Sequence, residues 1–168
     1  DHGENIRRDI SFALVDMGIR PEASHHEMGP GQNEIDFRYA DPLTAADNAS
    51  TFKWVVKSIA TSDGVWADFS PKPLADKPGN GMHINMSVES RDGQDHSAAF
   101  MAGILEHIRE MTLFLNPIRE SYERLGDMKA PKFVSWSEQN RSQLIRIPAS
   151  RSDLKRFELR SPDPMANP

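Results

Sequence analysis

Three stretches of the chain repeat their apolar residues every three to four positions, while the segments between and after them alternate every second residue. Ile6, Ile10, Ala13, Leu14 and Met17 form the first helical stripe, and Gly18 follows as a stop signal. The second helix fits residues 45–59, with Phe52, Val55, Val56 and Ile59 on one face. The third runs over residues 97–115 through Phe100, Met101, Ile104, Leu105, Ile108 and Met111. Asn116-Pro117 closes it, because proline cannot continue the hydrogen-bond ladder. Six short segments, 33–39, 66–69, 82–88, 132–135, 144–147 and 156–160, alternate with the period of a strand. Their connections are rich in Pro and Gly, as in Met28-Gly29-Pro30-Gly31 and Lys77-Pro78-Gly79-Asn80-Gly81. Such a mixture predicts an α+β domain over 1–168, a mostly antiparallel sheet backed by helices, with no repeat and no internal boundary.

Composition narrows the function classes. A chain of 168 residues is long enough to bury one domain-sized core. Its net charge of −5 argues against holding nucleic acid by broad electrostatics. No apolar run approaches the ~20 residues of a membrane span, so no membrane partner is expected. The absence of cysteine excludes disulfides, thiolate metal sites and Cys nucleophiles. With no signal sequence visible, a reducing cytoplasm is the default expectation. A start at Asp1, without Met and within a helical pattern, suggests a fragment.

Period-two alternation splits each strand into two faces. Met82, Ile84 and Met86 share one face, and His83, Asn85 and Ser87 the other. Phe157 and Leu159 oppose Glu158 and Arg160; Ile35 and Phe37 alternate with Glu34, Asp36 and Arg38; Arg146 stands between Ile145 and Ile147. Any one of these strands, taken alone, reads first as part of a sheet with one face in water. Together, the polar faces carry Glu, His and Arg where a merely solvated face mixes Lys, Thr, Ser and Gln. Carboxylates with an imidazole suit Mg²⁺ or Mn²⁺, which prefer oxygen and tolerate nitrogen. Arginines beside such a cation suit phosphate or carboxylate, which the guanidinium fork binds bidentately. Cation and arginine together are the apparatus of phosphoryl transfer.

Five motifs in order along the chain carry a family resemblance. The segment Glu22-Ala23-Ser24-His25-His26-Glu27 with Gly31-Gln32-Asn33-Glu34 resembles the H-H-E…G-Q-x-E signature of the type I glutamine synthetase family. Lys72-Pro73 with Gly79-Asn80-Gly81-Met82-His83 resembles its K-P…G-S-G-M-H loop and strand. Asn116-Pro117 with Ser121-Tyr122-Glu123-Arg124-Leu125 resembles N-P-x-x-x-S-Y-K-R-L. Asn140-Arg141-Ser142 through Ile145-Arg146-Ile147-Pro148 is similar to N-R-S-x-x-I-R-I-P. Glu158-Leu159-Arg160-Ser161-Pro162-Asp163-Pro164 with Ala166-Asn167-Pro168 resembles E-x-R-x-x-D-P-x-A-N-P.

The resemblance implies a curved antiparallel sheet forming a funnel, two or three divalent cations, and ATP-dependent ligation of ammonia to the γ-carboxylate of glutamate through γ-glutamyl phosphate. It implies Glu27 and Glu34 as ligands of the cation on the glutamate and ammonium side, and His83 and Glu158 as ligands of the cation on the ATP phosphates. Arg124 and Arg160 resemble the pair that holds substrate carboxylates, and Gly79 the loop glycine at the amino group. Arg141 and Arg146 resemble the phosphate-side arginines, with Arg124, Arg141 and Arg160 the catalytic candidates. His25, Tyr39, Ser87 and Arg156 match positions lining the nucleotide pocket. The family assembles into homo-oligomeric rings, usually a double-ring dodecamer, in which a neighbour's N-terminal domain completes the site. Its first metal-ligand strand and N-terminal domain would precede Asp1, and further helices would follow Pro168, so this piece is expected to be inactive alone.

Three departures bear on the chemistry. Lys129 stands immediately before Ala130-Pro131, where many relatives carry a Glu that takes a proton from ammonium. An ammonium group there repels ammonium and at an ordinary pKa of ~10.4 cannot serve as base. Asp127, two residues earlier, is the candidate substitute. Pro78 and Asn80 replace an Asn and a Ser beside the glutamate pocket. Two rivals therefore stand beside the ammonia ligase: a γ-glutamyl ligase for another amine or polyamine, and a non-catalytic relative.

Overall fold

The computed structural model describes residues 2–149 and 156–168, which gather into two compact units, residues 2–68 and residues 69–167. The first contains α1 (His2–Asp16), β1 (Pro21–His26), β2 (Asn33–Phe37) and α2 (Pro42–Ser62). Gly18 ends α1 because its positive φ of 84° lets the Ile19 N–H reach back to the Leu14 carbonyl at 2.8 Å. β1 and β2 pair antiparallel, His25 facing Glu34 and His26 facing Asn33. Asp41 caps α2 by accepting from the Thr44 N–H, and Pro42 occupies the first turn, where its missing donor costs nothing. Ile10, Leu14, Ile19 and Val55 form the core, with Ile35, Phe37 and Phe52 packed against them.

The second unit contains β3 (Ile84–Ser87), α3 (Ser97–Leu115), α4 (Arg119–Arg124), β4 (Trp136–Ser137), β5 (Ile145–Arg146) and β6 (Arg156–Leu159). Its sheet runs β3-β6-β5-β4, antiparallel except between β4 and β5. The apolar face buries Ile145, Phe157 and Leu159 against Ile104 and Ile108 of α3, with Ile84 and Met86 alongside. Each such apolar side chain contributes roughly 1.5–3 kcal/mol by leaving water. The fold is α+β with helices backing mostly antiparallel sheet, as expected. Among the described residues no helix is long and apolar enough to cross a membrane.

Several sequence expectations need correction. Residues 66–69 alternate but pair with no strand, and 132–135 likewise form none; the ladder begins at Trp136 instead. β1 was missed because its side chains are mostly exposed and polar, so the β2 ladder alone makes it a strand. α4, only six residues long, is too short for a periodic stripe.

Candidate functional site

The β1–β2 hairpin projects four titratable groups from one region. Register places His25 opposite Glu34, and Asp36 follows Glu34 on the same face two residues on. One ligand atom from each of His25, Glu34 and Asp36 lies within 4.8 Å of the others. Glu27 joins from the turn, its Oε1 3.4 Å from His25 Nδ1. Burial, with Asp36 and Glu27 next in weight, pushes the Glu34 carboxyl up to about 7. Three carboxylates so crowded favour a proton or a cation between them, and an oxygen-rich set with one imidazole fits Mg²⁺ or Mn²⁺. Asp36 was absent from the expected ligands, although the Glu34/Asp36 alternation already placed both on one face. Tyr39, expected to line the nucleotide pocket, is 75 % exposed with the Arg38 guanidinium over its ring.

In the second unit the polar side of the sheet is a register product. Glu158 on β6 pairs with Asn85 on β3 and with Arg146 on β5, and Arg156 pairs with Ser87. Glu158 is the hub: its Oε1 lies 3.0 Å from His83 Nδ1 and accepts from Arg160 Nη1 at 2.7 Å, while Oε2 lies 3.3 Å from Arg146 Nε. Burial alone would raise the Glu158 carboxyl, but His83, Arg160 and Arg146 outweigh it and hold the group below its ordinary range. Burial shifts His83 the other way, favouring the neutral imidazole that a cation needs, against the pull of Glu158. Among the described residues, Glu158 Oε2 and Arg160 Nε are buried without a hydrogen-bond partner. An acceptor and a donor left open on the same buried pair fit a cation and an anionic ligand bound together.

Beneath this face sits Arg124, 3 % exposed, with its pKa lowered to about 10 by burial. Its Nη1 donates to the Ser161 carbonyl at 2.8 Å and Nη2 to that of Arg160 at 3.1 Å. Its fork therefore holds the backbone of its expected partner Arg160. Asn116, fully buried, adds bonds to the Ser161 carbonyl at 2.8 Å and to Asp163 Oδ2 at 2.9 Å. Gly81 is glycine for a visible reason: a Cβ there would lie 2.6 Å from Arg124 Nη2 and 2.9 Å from His83 Nε2.

Arg141 is exposed in the turn before β5, its charge felt by Arg160. Ser87 and Arg156 are exposed at the end of the β3–β6 ladder. Thus His83, Glu158, Arg146 and Arg160 are brought into contact, and His25, Glu27 and Glu34 form their own cluster. A cavity of about 490 Å³ lined by Ile108, Arg109, Thr112, Lys132 and Val134 includes none of the expected site residues.

Known proteins resemble the chain along its whole length. The model of the glutamine synthetase catalytic domain matches residues 1–168. The glutamine synthetase of Methanosarcina mazei is 49 % identical over 182 aligned residues, covering all of this chain and 40 % of that protein. That of Thermus thermophilus is 50 % identical, with 41 % of its length covered. The solved glutamine synthetase of Plasmodium falciparum superposes with a TM-score of 0.88 at 33 % identity, over 96 % of this chain and 34 % of that one. A GmaS/ADP complex superposes at 0.85 and 33 % identity, over 97 % of this chain and 41 % of that one. The chain spans about two-fifths of the length of the curated relatives it matches. With a catalytic-domain match along its full length and half its residues shared with curated relatives, the chain belongs to the glutamine synthetase family.

Proposed function

We propose that the protein works as an ATP-dependent ligase that joins ammonia to the γ-carboxylate of glutamate. A γ-carboxylate oxygen attacks the terminal phosphorus of ATP, the bond to the bridging oxygen breaks, and ADP leaves. The nitrogen then attacks the acyl carbon, phosphate departs, and the ammonium-derived proton passes to a base. The observation that supports this most is Glu158, which gathers His83, Arg146 and Arg160 around one carboxylate. His83 and Glu158 would hold Mg²⁺ or Mn²⁺ on the ATP phosphates, where such a cation neutralises charge built up in transfer. Arg146 and Arg141 would take the phosphate side. Arg160 would hold the substrate carboxylate, with Arg124 fixing its backbone from below and Gly79 meeting the amino group through its backbone. Glu27 and Glu34 would hold the second cation, and His25, Tyr39, Ser87 and Arg156 would border the nucleotide. The family resemblance supports a homo-oligomeric ring, a dodecamer by its commonest form, and a cytoplasmic setting.

Calorimetric titration of ATP into the protein with and without Mn²⁺ tests the reading. Binding should need the ion and weaken at least about tenfold in Glu158→Gln, the scale of losing one charged contact. Equal ATP affinity with and without the ion would end it. A second reading, ligation of a different amine, draws on Lys129, which is exposed where an acidic residue would attract ammonium. Phosphate release across a panel of amines separates the two.

A further inference from the structure

Two loops of the second unit are tied by one buried charge. In the 70–81 loop, Asn80 donates through Nδ2 to the Ser70 carbonyl and through its N–H to that of Pro71, each at 2.9 Å. Lys72 Nζ closes the same loop by donating to the Lys77 carbonyl at 2.5 Å. In the 125–131 loop, the Gly126 N–H donates to the Pro131 carbonyl at 3.1 Å and the Ala130 N–H to that of Asp127 at 2.9 Å. The Lys72 side chain is 5 % exposed, and its ammonium also pairs with the Asp127 carboxylate, which is 40 % exposed. A buried ammonium is costly unless paired, so removing its carboxylate costs more than breaking a surface ion pair. The Asp127 N–H also donates to the Arg124 carbonyl at 3.1 Å. A Cβ on Gly79 would lie 3.0 Å from Arg124 Cγ, so Gly79, Arg124 and Asp127 form one packed series.

We propose that Lys72 and Asp127 form a latch holding the 125–131 loop against the Gly79 loop, making Asp127 a positioning residue and not the proton acceptor for the incoming amine. Asp127 is the only acidic residue of that loop, and its Oδ2 is engaged by Lys72. The loop thus presents an exposed Lys129, and its one carboxylate is already paired with Lys72. The catalytic half of this inference rests on the ligase reading; the latch itself does not.

Hydrogen exchange of the full chain tests the latch. Asp127→Asn and Lys72→Met should each speed exchange across residues 126–131 about tenfold, with no further gain in the double variant, as for coupled contacting residues. Asp127→Glu, which keeps the charge, should restore most of the protection. Unchanged exchange in Asp127→Asn, or effects that add in the double variant, would overturn the latch. In the complete protein, Asp127→Asn should raise KM for glutamate about tenfold and leave kcat within about twofold. A fall in kcat of about a hundredfold at constant KM, with the pH profile losing its acidic limb, would make Asp127 the proton acceptor and overturn the assignment. Coupled exchange in a protein that turns over no amine would sink the ligase reading while supporting the latch.

Discussion

Gly79 shows how much a single atom matters at this site. A Cβ there would lie 2.3 Å from the Pro71 carbonyl oxygen, which is backbone and cannot swing away as a side-chain tip does. The Asn80 N–H already bonds to that same carbonyl, so relieving the clash means breaking the turn. Gly79→Ala should therefore cost about 1–3 kcal/mol, the range for overpacked interiors. Urea unfolding of the variant beside the parent measures it; an unchanged midpoint would mean the loop yields freely. Of the residues at this scale, His83 and the Glu158/Arg160 pair were each legible as the polar face of their own segment, because alternation sets them against Met82, Ile84, Phe157 and Leu159; that the two segments pair was not. The buried carbonyl-holding role of Arg124 was not, since it depends on where Arg160 and Ser161 arrive from 36 and 37 residues away. The Lys72–Asp127 pair was hidden for the same reason, at a separation of 55 residues.

Among elements, legibility followed amphipathicity. Ile104 and Ile108 announce α3 because its apolar stripe meets the sheet over several turns, and its observed limits, Ser97–Leu115, are those expected. Pro21-Glu22-Ala23-Ser24-His25-His26 carries no apolar alternation, and its strand exists only through pairing with β2. Residues 66–69 show the converse, a strand-like pattern that joins no ladder. The start of α2 offers a separable electrostatic test. The Asp41 carboxylate is held below its ordinary range chiefly by its side-chain and backbone bonds to Thr44. A depressed folded pKa means the cap's contribution is fully present above the ordinary aspartate value and fades as pH falls through and below it. Asparagine caps nearly as well but does not titrate. Melting curves should therefore show the Asp41→Asn variant losing less stability than the parent between neutral pH and pH ~3. Asp41→Ala should be weaker across the whole range. Parallel pH profiles for parent and Asp41→Asn would refute the charged cap.

For the molecule as a whole, the proposed ligase reading calls for two cation positions, and the residues that would hold them are gathered by different means. The first draws His25, Glu34 and Asp36 from adjacent strands of a hairpin, with Glu27 in the turn, so its ligands are close in sequence. The second draws His83, just before β3, and Glu158 of β6, 75 residues apart in the chain, and surrounds them with arginines. The surroundings decide the ligands. Carboxylates clustered with little counter-charge favour a bare cation, which relieves their mutual repulsion. A carboxylate already facing Arg146 and Arg160 attracts a cation only when an anion arrives with it, because the arginines otherwise repel the ion. Manganese counted on the complete protein by metal analysis after dialysis should therefore fall by about one ion in Glu34→Gln whether or not nucleotide is present. In His83→Ala the count should fall only when ATP is included, and ATP affinity should fall with it. Loss of the same ion in both variants, or a nucleotide-independent loss in His83→Ala, would show that the two sets of ligands do not divide the cations in this way.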